Sequence, residues 1–85
     1  MVLYNEWVKT TQYFRYFRNR PDRAIIRDEW ILRAVQSPDH EAVQDDGRIR
    51  RWVRIGEMGG RYLRVILEPD GETVHNAFFD RGFKP

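Results

Sequence analysis

The chain has 85 residues, of which 15 are basic and 13 acidic, so its net charge is only +2. This length holds one domain with a modest core, and we expect a single domain over residues 1–85 with flexible ends at 1–7 and 82–85. The absence of cysteine excludes disulfides, and a content of 41% hydrophobic residues favours a globular fold over disorder. No apolar run reaches the roughly 20 residues of a membrane span. The first residues do not form a signal peptide, so a cytoplasmic protein is expected.

The first third of the chain carries a strand signal and then helix signals. In WVKTTQYFRYFRNR, β-branched residues favour a strand over residues 8–12, and the aromatic spacing over 13–17 predicts a short helix that Pro21 ends. A second helix is expected in DEWILRAVQSP, where Asp28 is a suitable cap and Ser37 precedes a terminating proline. Its apolar stripe has 3–4 spacing and consists of Trp30, Ile31, Ala34 and Val35.

The second half of the chain predicts four strands joined by tight turns. Turn signals occur at Asp46-Gly47, at residues 56–60 and at Pro69-Asp70-Gly71. The strands are therefore expected at about 41–45, 48–55, 61–68 and 73–80, as an antiparallel meander. With the helices first, this predicts an α+β domain: an N-terminal strand and helices packed on one face of a mostly antiparallel four- to five-stranded meander sheet.

Alternation assigns the strand residues to two faces of the sheet. The apolar face is expected to hold Ile49, Val53, Ile55, Leu63, Val65 and Leu67. Arg51 alternates with Ile49 and Val53 and so falls on the apolar face. A charged residue there indicates that it lies near a sheet edge or that a bulge intervenes. If Glu68 and Glu72 close the third turn, Arg64 lies opposite Asn76 and Val65 opposite His75. A change of one residue in that loop would exchange the faces, so the face of His75 stays open.

The open face of this sheet combines arginines with aromatic residues. Thirteen of the 15 basic residues are arginine, whose planar fork matches phosphate oxygens, although a GC-rich coding sequence also explains this preference. Aromatic rings on an open sheet can stack on RNA bases, whereas the alternative is that they only cover their cross-strand neighbours. The candidate RNA-binding residues are Arg50, Trp52, Arg54 and Tyr62.

His75 is the histidine of the strand half, while His40 falls in a predicted loop. A histidine can take the proton from a ribose 2′-OH that attacks its own phosphate, and arginines can stabilise the resulting charge. The alternative is a histidine that is hydrogen-bonded within the sheet. Metal-ligand spacings are absent, and we expect neither a metal nor another cofactor.

Several pieces of the sequence, in this order, resemble a known group of prokaryotic proteins. RPDR, SPD, YLRVIL and VHNAFFDR make residues 9–82 similar to small uncharacterised domains related to the RelE and BrnT toxins of type II toxin–antitoxin systems. The resemblance implies a four-stranded antiparallel sheet and a metal-independent ribonuclease ancestry. Carried onto this sequence, it implies a catalytic set of Arg64, His75, Asn76 and Arg81. Relatives often have a histidine near the first strand, where this chain has Gln12 and Tyr13.

Two functions follow as hypotheses. The first is an RNA-directed protein, with enzyme activity left open as a metal-independent endoribonuclease, whose partners are RNA or the ribosome and an acidic antitoxin. The second is a non-catalytic protein-interaction module of the same fold, which could form a homodimer through residues 13–17. Neither hypothesis involves a membrane.

Overall fold

The fold is a five-stranded mixed sheet with three helices packed against it, described over residues 8–85 of a computed structural model. The first predicted flexible end, 1–7, lies outside the described residues. In chain order the elements are β1 Lys9–Thr10, α1 Gln12–Phe17, α2 Pro21–Ala24, α3 Asp28–Gln36, β2 His40–Val43, β3 Ile49–Ile55, a 3₁₀ helix Gly56–Met58, β4 Arg61–Leu67 and β5 Thr73–Phe79. None of the helices described is long and apolar enough to cross a membrane.

The strand order is β1-β5-β4-β3-β2, so the predicted antiparallel meander is confirmed and β1 joins it by one parallel pairing with β5. The helices cover one face. Trp30, Ile31 and Ala34 of α3 are buried against the apolar side chains of β3 and β4, and Phe14 of α1 belongs to the same core. The predicted α+β class and the predicted helix stripe are therefore correct.

Local chemistry explains where the helices begin. The Thr11 hydroxyl accepts a hydrogen bond from the Phe14 N–H at 3.1 Å and so caps α1. Pro21 occupies the first turn of α2, where its missing N–H costs nothing. Asp28 is not the cap of α3 as predicted, because Arg27 holds that position; Asp28 is the first helical residue and forms an ion pair with Arg18.

Arg51 lies on the core side of the sheet, as its parity predicted, beside the edge strand β2. Its Nη1 donates to the Val35 carbonyl oxygen at 2.7 Å, and its Nε donates to Glu41 Oε2 at 2.6 Å. The guanidinium therefore satisfies a carbonyl near the end of α3, where a positive charge is also favoured by the helix dipole. This joins α3 to β2 and β3.

Glu68 and Glu72 do not close the last hairpin, and its register differs by two residues from the one that such a closure would give. Arg64 pairs with Phe78 instead of Asn76, and Val65 pairs with Ala77 instead of His75. One residue comes from the turn, because the Glu68 N–H bonds to the Thr73 carbonyl while Asp70 accepts bonds from Glu72 and Thr73. The other comes from a β-bulge next to Ile66 and Leu67. The turn alone would have exchanged the faces, and the bulge restores them.

Candidate functional site

One row of side chains crosses the outer face of the sheet, the face opposite the helix α3. His40 of β2 pairs with Trp52, Trp52 pairs with Arg64, and Arg64 pairs with Phe78. Directly paired residues in neighbouring strands point the same way, so these four side chains form a continuous line from β2 to β5. The guanidinium carbon of Arg64 lies 5.5 Å from the Trp52 ring centre and 5.0 Å from that of Phe78.

Asp80, just after β5, binds the middle of this row. Its Oδ2 accepts hydrogen bonds from Trp52 Nε1 at 3.0 Å and from Arg64 Nε and Nη2 at 3.0 and 2.7 Å. Burial of the Asp80 carboxyl by itself raises its pKa, but the hydrogen bonds from Trp52 and Arg64 and the Arg64 charge outweigh it. The net pKa of Asp80 is lower than its ordinary value, so the carboxylate and Arg64 form a stable ion pair.

The chain after Asp80 turns back over the same face. The Asp80 Oδ1 accepts a hydrogen bond from the Gly82 N–H at 3.1 Å, which closes a tight turn. The Phe83 ring then stacks on Trp52, with ring centres 4.4 Å apart and 15° between the planes. Phe83 also lies 5.0 Å from Tyr62 and 5.2 Å from His40. These four rings are called the aromatic platform: His40, Trp52, Tyr62 and Phe83.

Beside the platform, a groove opens where β4 begins and β5 ends. A pocket of about 340 Å³ is lined by Gly60, Arg61, Tyr62, Phe79, Asp80, Arg81 and Phe83. A second pocket of about 210 Å³ shares three of these residues and is lined by Asp22, Ile25, Arg61, Phe78, Phe79 and Arg81. The two pockets together are called the end groove, and Arg61 and Arg81 belong to both.

The two arginines of the end groove differ from most other arginines because no carboxylate described in the structure pairs with them. Arg61 and Arg81 are exposed, and neither forms an ion pair within residues 8–85. By contrast, most other arginines have a carboxylate partner, as Arg48 has in Glu68 at 2.7 Å. Arg54 lies close by: a Cβ on Gly60, which has a φ of +83°, would come within 2.5 Å of its guanidinium. Three cationic side chains therefore approach the groove: Arg54, Arg61 and Arg81.

The predicted RNA-binding residues lie at different distances from this groove. Tyr62 lines it, and Trp52 lies under Phe83 with 6% of its surface exposed. Arg54 is exposed next to Gly60. Arg50 lies on the outer face two residues before Trp52, on the side away from the groove, and its Nε donates to Gln44 Oε1 at 2.9 Å.

The predicted catalytic residues fall into two places. Arg64 and Arg81 lie at the platform and the end groove, whereas His75 and Asn76 lie at the β-bulge. The bulge is four residues from Asp80, about 13 Å along an extended strand. The His75 ring stacks on Tyr13 of α1, with centres 4.8 Å apart and 13° between the planes. Its Nδ1 is buried and has no hydrogen-bond partner among the described residues.

Sequence reasoning missed three residues of this region: Arg61, Phe83 and His40. The sequence correctly places Arg61 at the start of a strand but gives its charge no role, and it places Phe83 in a flexible end. His40 was assigned to a loop, but it is the first residue of β2 and faces Trp52. A signal for Phe83 is nevertheless present: it is the fourth residue after β5, and Asp80 and Gly82 before it are residue types common in turns.

The chemistry of this site is that of cations and rings. Across the part of the chain that the structure describes, no three His, Cys, Asp or Glu side chains cluster in a way that could hold a metal ion. The polar side chains at the end groove are the guanidinium donors Arg61 and Arg81, which suit phosphate oxygens, and the carboxylates Asp22 and Asp80, which have ion-pair partners of their own. The flat groups are rings, which suit stacking. No protein-family model matches this chain, and no curated protein or solved structure matches it either.

Proposed function

We propose that this protein binds single-stranded RNA along the end groove and the adjoining outer face. The observation that carries the proposal is the pair Arg61 and Arg81, two exposed arginines without ion-pair partners in residues 8–85, facing the same groove next to aromatic rings. A single strand offers phosphates for guanidinium groups and bases for rings, and proteins that bind it combine a basic groove with stacking side chains.

The size of the groove supports a flexible strand over a small compact ligand. The two pockets share a wall at Arg61, Phe79 and Arg81, so they form two neighbouring spaces along the end of the sheet. A polymer with regularly spaced phosphates can use both spaces at once. The net charge of +2 is low for a nucleic-acid-binding protein, so the proposal depends on the local position of Arg61 and Arg81, which have no ion-pair partner within residues 8–85.

Cleavage of the bound RNA is the finer part of the proposal, in line with the resemblance to the RelE and BrnT toxins. Arg64 is held by Asp80, so it is oriented but electrically neutralised, and Arg81 is the catalytic candidate that carries a free charge at the groove. His75 would have to reach the phosphate from the bulge. Cleavage without metal needs a proton acceptor for the attacking 2′-OH, a cationic group next to the phosphate, and a proton for the 5′ oxygen that leaves as its bond to phosphorus breaks. A histidine that has taken the first proton, or water, can supply the second.

Binding is tested with a fluorescein-labelled, unstructured oligoribonucleotide at several salt concentrations. Arg61→Gln and Arg81→Gln should each weaken binding and reduce the slope of log K against log salt by about 0.7, the value for one lost phosphate contact. Lys9→Gln is the matched control, because Lys9 is exposed and lies at the opposite end of the sheet, paired with Glu72. Equal weakening by all three variants, or no binding by the wild type at low salt, would overturn the proposal.

Cleavage is tested separately with a mixed RNA substrate in excess EDTA. We expect the wild type to cut and His75→Ala not to cut, with His40→Ala as the comparison histidine on the outer face. Loss of cutting in His40→Ala alone would move the chemistry to the aromatic platform. In cells, overproduction should slow growth, and His75→Ala or Arg64→Ala should relieve it. No cutting by a folded wild type, together with undisturbed growth, would leave RNA binding as the function.

The alternative function, a protein-interaction module, is favoured by a different observation. β2 is an edge strand that pairs only with β3 in the described part of the chain, all four of its residues are exposed, and Val43 is 70% exposed. Such an edge can accept a strand from another protein, for example an antitoxin or a second copy. Light scattering of the purified protein and of Val43→Lys tests this: a homodimer that Val43→Lys dissociates, with no RNA affinity, would support the alternative.

A further inference from the structure

We propose that Phe83 occupies, in the free protein, the position that an RNA base takes on Trp52, so that RNA displaces residues 83–85 from the outer face and leaves Arg81 at the end groove. This inference rests on the proposed RNA-binding function and names a second subsite for it, next to the end groove. The ligand of the subsite is a nucleobase, and its phosphate-bearing chain continues into the groove.

The geometry of the contact supports a base in place of the ring. Phe83 is stacked nearly parallel on Trp52, at 4.4 Å and 15°, whereas Tyr62 and His40 meet it at steeper angles of 64° and 59°. The site that holds Phe83 therefore consists of the flat Trp52 ring beneath it and two inclined rings, those of Tyr62 and His40, beside it. A planar group of aromatic size fits it, and a nucleobase is such a group.

Asp80 extends the same comparison to the phosphate. One carboxylate oxygen receives the two Arg64 donors and the indole N–H of Trp52. A phosphate oxygen accepts the same donors as a carboxylate oxygen, so Asp80 holds against Arg64 an anion of the kind that RNA carries. The tail residues Asp80 and Phe83 therefore present an anion followed by a ring, which is also the order of groups along a nucleotide.

The way in which the tail is attached makes displacement inexpensive. The hydrogen bonds described for the backbone N–H groups of Gly82 and Phe83 both go to Asp80, within the tail's own turn. Beyond Asp80, ring contacts hold the tail to the sheet. Segments held by few contacts open at low free-energy cost. A ligand that binds only the opened form has an apparent affinity reduced by the small fraction of protein that is open, so a variant without the closing ring should bind it more tightly.

The test is a double-mutant cycle on Phe83 and Trp52 with two probes, an oligoadenylate and an abasic sugar-phosphate oligomer of the same length. Phe83→Ala should bind the oligoadenylate about three- to tenfold more tightly than the wild type, because no tail ring competes with the base. The abasic oligomer should show no gain. Trp52→Leu in the Phe83→Ala background should lose the gain, and thermal unfolding of every variant establishes that it is folded.

The outcomes separate this inference from the proposed function. Wild-type binding that depends on Arg61 and Arg81, with equal or weaker binding by Phe83→Ala, overturns the base-site inference and leaves the groove. A gain for the abasic oligomer as large as for the oligoadenylate also overturns it, since the gain would not need a base. Absence of binding by the wild type and by Phe83→Ala overturns both.

Discussion

Asp80 receives two donors of Arg64, at 3.0 and 2.7 Å, and both side chains are mostly buried, with 11% and 22% exposed. The Arg64 guanidinium carbon also lies 5.5 Å from the Trp52 ring centre and 5.0 Å from that of Phe78, and the ion pair joins the end of the last strand to the centre of the sheet. Because the pair is largely shielded from water, it contributes more than an exposed surface pair, and removal of Asp80 leaves Arg64 uncompensated.

Asp80→Asn should lower the free energy of unfolding by about 1.5–3 kcal/mol, the range for losing a hydrogen-bonded charged partner. Urea unfolding followed by circular dichroism measures it. Asp45→Asn is the matched control, because Asp45 is an exposed turn residue with the same change in charge. Equal effects of the two substitutions would mean that overall charge, and not the ion pair, accounts for the loss.

The same pair predicts how stability depends on pH. The folded-state pKa of Asp80 is lowered, so the unfolded chain, with a carboxyl pKa of about 3.9, binds this proton more tightly. The stabilisation that the ionised Asp80 gives to the folded state is therefore complete above the unfolded-state pKa and is lost as the pH falls through the folded-state pKa. The urea concentration at the unfolding midpoint should therefore decrease as the pH is lowered below about 4, and this decrease should be less steep in Asp80→Asn. An unchanged slope in that variant would contradict the assignment.

Arg51→Met should destabilise the protein by about 1.5–3 kcal/mol, because it leaves the Val35 carbonyl and Glu41 without their charged donor. Arg50→Met is the matched control: it is the adjacent residue on the outer face, where its Nε bonds only to Gln44. Chemical unfolding compares the two variants. A larger loss in Arg50→Met would show that the bond between Arg51 and α3 matters less than its geometry indicates.

His75→Phe should leave stability within about 1 kcal/mol of the wild type or raise it, since a ring of similar shape removes a buried nitrogen without a described partner. His75→Ala should cost more, because it also removes the stack on Tyr13. Thermal unfolding ranks the three proteins. If His75→Phe is folded and loses RNA cleavage, the imidazole has a chemical role; if cleavage persists, its role is packing.

Most of the sheet could be predicted because its information is local. The strand expected at 48–55 is Ile49–Ile55, and that expected at 61–68 is Arg61–Leu67, since alternation and turn residues lie in the strands and loops themselves. The bulge at His75 could not be predicted, because no residue type there marks an inserted position. The bulge accounts for one of the two residues by which the register differs, and the turn accounts for the other.

The candidate site was predicted only in part, for a related reason. The alternation of apolar and polar residues along β3 and β4 correctly predicts that the outer face holds Trp52, Tyr62 and Arg64. Which arginines keep a free charge depends instead on distant carboxylates: Arg64 is paired by Asp80, 16 residues later, and Arg81 is not paired within the described residues. The return of Phe83 onto Trp52 likewise depends on a partner in another strand.

The parallel pairing of β1 with β5 also determines the order in which the molecule can assemble. Lys9 pairs with Thr73, and the Thr11 N–H bonds to the Val74 carbonyl, so the first described strand is completed by the last one. The β3–β4 hairpin needs only its own neighbours, and its Gly60 N–H bonds to Ile55. Closing the longer loop costs more chain entropy. In pulse-labelled hydrogen exchange during refolding, the Thr11 amide should thus gain protection after that of Gly60, and on the ribosome β1 cannot pair until β5 has been synthesised.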